Sequence, residues 1–114
     1  MDFQTREKLD GKVIVIELPE RLDFQISDDF RSMLNELAKQ GKYQLVFDLE
    51  KTKYIDSSGL SALVSRIATT RSNQGDIRLA SPTKFVRELL ELTHLNQIIK
   101  CFDNVKAAVE SFRK

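Results

Sequence analysis

Long hydrophobic runs are missing from this chain. No apolar stretch approaches the roughly 20 residues needed to span a bilayer. The first residues, Met1-Asp2-Phe3-Gln4-Thr5-Arg6-Glu7, lack the apolar core of a signal peptide. There is a single cysteine, Cys101, so no internal disulfide can form. These absences together predict a cytoplasmic protein that does not enter a membrane. An excess of charge of one sign is also missing. The 18 basic and 17 acidic residues leave a formal net charge of +1, with no basic stripe of the kind that holds nucleic acid.

Glycine is scarce, and its four copies are scattered, so neither common phosphate-binding loop is present. The only histidine, His94, and the only cysteine cannot make a zinc cluster. A hydrolase could draw on Ser57, His94 and an aspartate. The segment Asp56-Ser57-Ser58-Gly59-Leu60, however, lacks the first glycine of a nucleophile elbow. Cys101, among apolar neighbours, reads as a buried structural thiol. The expectation is a protein with no metal, no cofactor and no catalytic residues.

What is present is a chain of 114 residues, 41% hydrophobic, enough for one domain over residues 1–114 with a single substantial core. Residues 3–9 alternate loosely and stop at Asp10-Gly11, a hairpin signal. Val13-Ile14-Val15-Ile16-Glu17-Leu18 suits a central strand covered on both faces. Ser27, Asp28 and Asp29 mark a helix start, with Phe30, Met33, Leu34, Leu37 and Ala38 as its inward stripe. Tyr43 to Leu49 is the next strand. Leu60, Leu63, Val64, Ile67 and Ala68 form one stripe on a helix that runs to Asn73-Gln74-Gly75. Asp76–Ala80 is a short strand. Ser81-Pro82 opens a helix with Phe85, Val86, Leu89, Leu90 and Leu92 facing inward. Ile98–Phe102 is a last strand. Asp103 caps a final helix carrying Val105, Ala108, Val109 and Phe112. The order ββαβαβαβα gives an α/β fold, a mixed and mostly parallel sheet of about five strands with about four helices.

The chemistry concentrates at Asp56-Ser57-Ser58-Gly59. Either Asp56 or Ser57 can accept a hydrogen bond from the first free N–H groups of the helix. Such a site can be an ordinary cap and nothing more. Two features point further. The helices opened by Ser27 and Ser81 have no bare glycine turn after the cap. The Ser57 helix also carries no charged side chain before Arg66, and Ser58, Ser61, Ala62 and Ser65 fill its remaining positions. A face of small neutral groups lets a partner come close, and it equally suits a helix that is simply buried on two sides.

A strand followed by Tyr54-Ile55-Asp56-Ser57-Ser58-Gly59-Leu60 and an apolar-striped helix resembles the STAS domain family, found in sulphate transporters and anti-sigma factor antagonists. Leu22-Asp23, Leu79-Ala80-Ser81-Pro82, Leu89 and Leu92-Thr93-His94-Leu95 extend the likeness over nearly the whole chain. Glu20 and Ser61 stand where the family commonly has glycine. The resemblance implies a stand-alone anti-sigma factor antagonist. Unmodified, it would bind an anti-sigma factor that is also a serine kinase, which brings its own ATP and Mg²⁺. Phosphorylation at Ser57 would release it, and a PP2C-type phosphatase would reset it. Asp23, Asp56, Ser58, Gly59, Ser61 and Ala62 would form the partner surface, with Ser58 the lesser candidate acceptor. Asp23 is equally readable as a loop carboxylate bonding its own turn. The alternatives are a STAS scaffold within a larger assembly and a module sensing a nucleotide or anion, for which Lys51 and Lys53 lie near the helix start.

Overall fold

The computed structural model describes residues 3–113. Strand β1 (Gln4–Lys8) pairs antiparallel with β2 (Val13–Glu17). Between them Asp10 and Gly11 adopt φ of 58° and 82°, and Lys12 N donates to Leu9 O at 3.2 Å. Both central residues of this tight turn therefore need the left-handed region, which Asp-Gly tolerates. Strands β4 (Gln44–Asp48), β6 (Asp76–Ala80) and β7 (Cys101–Phe102) then add in parallel, giving the sheet order β1-β2-β4-β6-β7.

The two-residue period of the strands divides the core into two layers. Ile14, Ile16, Leu45, Phe47, Ile77 and Leu79 face one way. They pack against Phe30 and Leu34 of α1 (Phe24–Lys39), Ala62 and Leu63 of α2 (Ser57–Val64), and Val86 and Leu90 of α4 (Lys84–Leu92). The Phe30 ring meets Phe47 edge-on at 5.1 Å. Val13, Val15, Val46 and Ala80 face the other way, onto Ala108 and Val109 of α5 (Val105–Glu110). The α/β class and the five-strand mixed sheet are as expected.

Several local expectations need correction. Helix α1 begins at Phe24 with Asp23 as its cap, and Ser27 lies inside it, buried, with its hydroxyl bonded to Asp23 O. The helix after Ser57 is two helices, because the chain breaks at Ser65-Arg66 before α3 (Ile67–Ser72). Ala68 is consequently exposed, not part of an inward stripe. Thr83, not Ser81, caps α4, and Ser81 takes a φ of 55°. Phe85 and Leu92 point outward, 48% and 79% exposed. The last strand is only Cys101–Phe102, after a 3-10 turn at Leu95–Gln97, and Asn104 replaces Asp103 as the cap of α5. Cys101 is half-buried, and that burial pushes its thiol pKa up. A second, two-stranded sheet went unforeseen: β3 (Arg21–Leu22) runs parallel to β5 (Tyr54–Ile55). No helix among the described residues is long and apolar enough to cross a membrane.

Candidate functional site

The small β3–β5 sheet builds the site. Its register sets Leu22 opposite Ile55, so the residues that follow each strand emerge side by side. On both, an aspartate comes next and then a helix: Asp23 opens α1 at Phe24, and Asp56 opens α2 at Ser57. Asp23 Oδ1 accepts from Gln25 N at 3.1 Å. Asp56 Oδ1 accepts from Gly59 N at 2.9 Å, and its Oδ2 accepts from Phe24 N at 3.0 Å. One carboxylate thus satisfies the starts of two helices. Two positive helix ends converge on it, which favours negative charge there.

Ser57 is the first residue of α2, and its side chain is exposed. Ser58 beside it is half-buried. Ser57 Oγ makes no hydrogen bond to a carboxylate or imidazole among the described residues. His94 sits beyond α4 at φ 60° and lines a depression with Glu88, Glu91 and Leu92. It is not a base held against Ser57. Among the described residues no group of three or more His, Cys, Asp and Glu side chains is placed to hold a metal ion.

The sequence-predicted surface residues divide. Ser57 and Ser61 face outward, while Gly59 and Ala62 are buried, Ala62 completely. Gly59 lies against Leu22 O, so its bare turn serves the contact between α2 and β3 and not an outside partner. Ala62 likewise belongs to the core layer beneath α2. Asp23 is half-buried, capping α1 and ion-paired with Arg21 at 3.5 Å.

Three neighbours were missed. Phe24 is 67% exposed directly beside the start of α2, and Tyr54 is 39% exposed on β5. Arg21 stacks over the Tyr54 ring at 4.3 Å. Phe24 could have been found from the Leu-Asp that precedes it, since an apolar residue just after a capping aspartate begins a helix instead of continuing a loop. Lys51, a candidate for anion contact, is engaged elsewhere: it pairs with Glu17 at 2.5 Å, and that hydrogen bond raises its pKa. A groove of about 680 Å³ between β1 and α5, lined by Arg6, Lys8, Asp48 and Lys106 among others, shares no residue with this site. Ser57 is therefore an exposed residue at a helix start, one residue after the aspartate that also binds the backbone of Phe24.

Comparison with known proteins yields a consistent set. The STAS domain family matches residues 4–108. The anti-sigma F factor antagonist of Paenibacillus polymyxa is 25% identical over 105 residues, which cover 91% of this chain and 90% of the relative. The crystal structure of a Thermotoga maritima protein, provisionally named an anti-sigma factor antagonist, superposes with a TM-score of 0.88 at 26% identity, covering 98% of this chain and 95% of that one. The Bacillus cell fate determinant SpoIIAA, solved in its phosphorylated form, shares the fold with a TM-score of 0.75 at 21% identity, covering 98% of this chain and all of that one.

Proposed function

The chain belongs to the STAS domain family, and from that we propose that it is an anti-sigma factor antagonist switched by phosphorylation of Ser57. The observation that carries the reading is the exposed Ser57 at the start of α2; on this reading Phe24, Tyr54, Ser58 and Ser61 form the docking surface. Unmodified, this cytoplasmic protein binds an anti-sigma factor that is also a serine kinase, so that sigma-dependent transcription proceeds. The kinase, with its own ATP and Mg²⁺, moves the γ-phosphoryl group onto Ser57 Oγ. A base on the kinase takes the hydroxyl proton, and ADP leaves. A PP2C-type phosphatase removes the group again. The protein is then a substrate and a binding partner, not an enzyme. That a Bacillus protein of the same fold exists in a phosphorylated form agrees with this.

The physical argument is electrostatic. A phosphate adds a charge of about −1.5 to −2. It would stand at the positive end of α2, where first-turn N–H groups favour an anion, so the fold tolerates it. Across a close interface, however, the same charge beside Asp56 repels acidic groups and nucleotide phosphates. A hundredfold loss of affinity needs only about 2.7 kcal/mol. No refolding is required.

The test is incubation with candidate kinase-type anti-sigma factors and ATP, followed by mass spectrometry. Modification is expected at Ser57 and absent in Ser57→Ala. A Ser57→Asp protein that binds the same partner as tightly as the parent overturns electrostatic release. An anion-sensing role finds less support, since Lys51 is held by Glu17.

A further inference from the structure

Helix α1 carries a guanidinium to the seam it shares with α2. Arg31 Nη2 donates to Ser61 Oγ at 3.0 Å, and its Nη1 stands 3.7 Å from Asp28 Oδ1. Ser61 is four residues beyond Ser57, so the two hydroxyls share one face of α2 with their β-carbons about 5–6 Å apart. The guanidinium is thus bonded to the hydroxyl that lies one helical turn along α2 from Ser57. Its present partners are weak ones: a neutral hydroxyl, and a carboxylate that is 93% exposed. Arg31 itself is one-third exposed.

We infer that Arg31 is the internal receiver for a phosphate on Ser57. The inference rests on the reading that Ser57 is the modified residue. The planar fork of a guanidinium matches phosphate oxygens two at a time, a stronger pairing than either contact it now makes. Phosphorylation then does two things at once: it adds an anion at the start of α2, and it moves the Arg31 guanidinium from Ser61 and Asp28 onto that anion.

Of the three guanidinium groups around the α1–α2 seam and β3, Arg31 is the least committed. Arg66, on the other side of the same seam, is committed to Asn35 Oδ1 through both Nε and Nη2 and lies nine residues along from Ser57. Arg21 is held by the Tyr54 ring and Asp23. The nearby carboxylates oppose the phosphate: Asp56 spends both oxygens on backbone N–H groups, and Asp28 is the one Arg31 would leave.

The experiment uses the full chain with phosphoserine installed at position 57 during synthesis, in the parent and in Arg31→Gln and Arg31→Lys backgrounds. Phosphorus NMR follows the second ionisation of the phosphate. Pairing with a guanidinium favours the dianion, so the midpoint in the parent should lie about half a pH unit below that of Arg31→Gln. Arg31→Lys, which keeps the charge without the fork, should recover part of the difference. Equal midpoints in the parent and Arg31→Gln overturn the inference. In the parent alone, the Arg31 side-chain Nε–H resonance should shift when position 57 is phosphorylated, and an unmoved resonance overturns it without any variant. No kinase takes part, so a failure here is distinct from a failure of Ser57 to be phosphorylated by an anti-sigma factor.

Discussion

Gly59 shows how much one missing side chain decides. A β-carbon built there meets Leu22 O at 2.1 Å and Ile55 Cγ2 at 2.9 Å. The first of these is backbone, and the same Leu22 carbonyl also accepts from Asp56 N at 3.3 Å, so it cannot step aside cheaply. Glycine is required for α2 to sit flush on the β3–β5 sheet, and that contact is what aims Ser57 outward. Gly59→Ala gains about 1 kcal/mol of helix propensity, yet the clash costs about 1–3 kcal/mol or more. Because the clash is with backbone at 2.1 Å, its cost falls at or above the upper end of that range, and the net expectation is a protein destabilised by about 2 kcal/mol or more, read by urea denaturation. A variant as stable as the parent would mean that α2 does not rest on this carbonyl. In sequence, a glycine after a cap announces a close approach but not which side is approached. The outward reading of Gly59 and Ala62 failed on that ambiguity.

At the scale of elements, long periodic segments were legible and their ends were not. β2 and β4 announce themselves through Val13–Ile16 and Leu45–Phe47, all buried, and α1 through Phe30 and Leu34. The caps moved by one to four residues because each start offers several competent side chains. Asp23 wins over Ser27 because pairing of Leu22 with Ile55 fixes where the chain leaves β3. That sheet is two residues long on each side, below what alternation can signal. The break at Ser65-Arg66 is equally local: Ser65 Oγ bonds back to Ala62 O, while Arg66 reaches across to Asn35. Of the site, Asp56 and Ser57 were legible, since capping chemistry is written in the segment itself. Phe24, Arg21 and Arg31 come from distant segments and needed the tertiary arrangement. The double role of Asp56 carries a prediction at this scale. Asp56→Ala should remove the α2 cap and strand Phe24 N at the start of α1, costing about 1–2 kcal/mol. Amide exchange should accelerate at Gly59 and at Phe24 together. Faster exchange at Gly59 alone would show that the bridge between the two helices is not formed.

For the whole molecule, the opposite end of the sheet is tied by one carboxylate. Asp76, 8% exposed at the start of β6, accepts from Arg71 Nε of α3 at 2.9 Å and from Arg78 Nε of its own strand at 3.1 Å. Arg71 continues to Ile98 O at 2.6 Å. Arg78 continues to Ser111 Oγ at 2.7 Å and lies over the Phe112 ring at 4.0 Å. The cluster therefore joins α3, the central sheet, the approach to β7 and the end of α5. Burial alone would raise the Asp76 pKa, but the hydrogen bonds from Arg71, Arg78 and Ile77 N outweigh it and leave the net value lowered. A folded-state pKa below the unfolded one means that the stabilisation is complete above the ordinary carboxylate value of about 4. It is lost as pH falls through the lower folded value. Asp76→Asn keeps the shape and removes this dependence. At neutral pH the variant should be less stable by about 1–3 kcal/mol, because two guanidinium groups lose their charged acceptor. As the solution is acidified below about pH 4, the parent should lose stability more steeply, and the two urea midpoints should approach each other. Midpoints that stay a constant distance apart from neutral pH into acid would show that Asp76 has the same affinity for its proton in the folded and unfolded chains, and that the cluster does not depend on its charge.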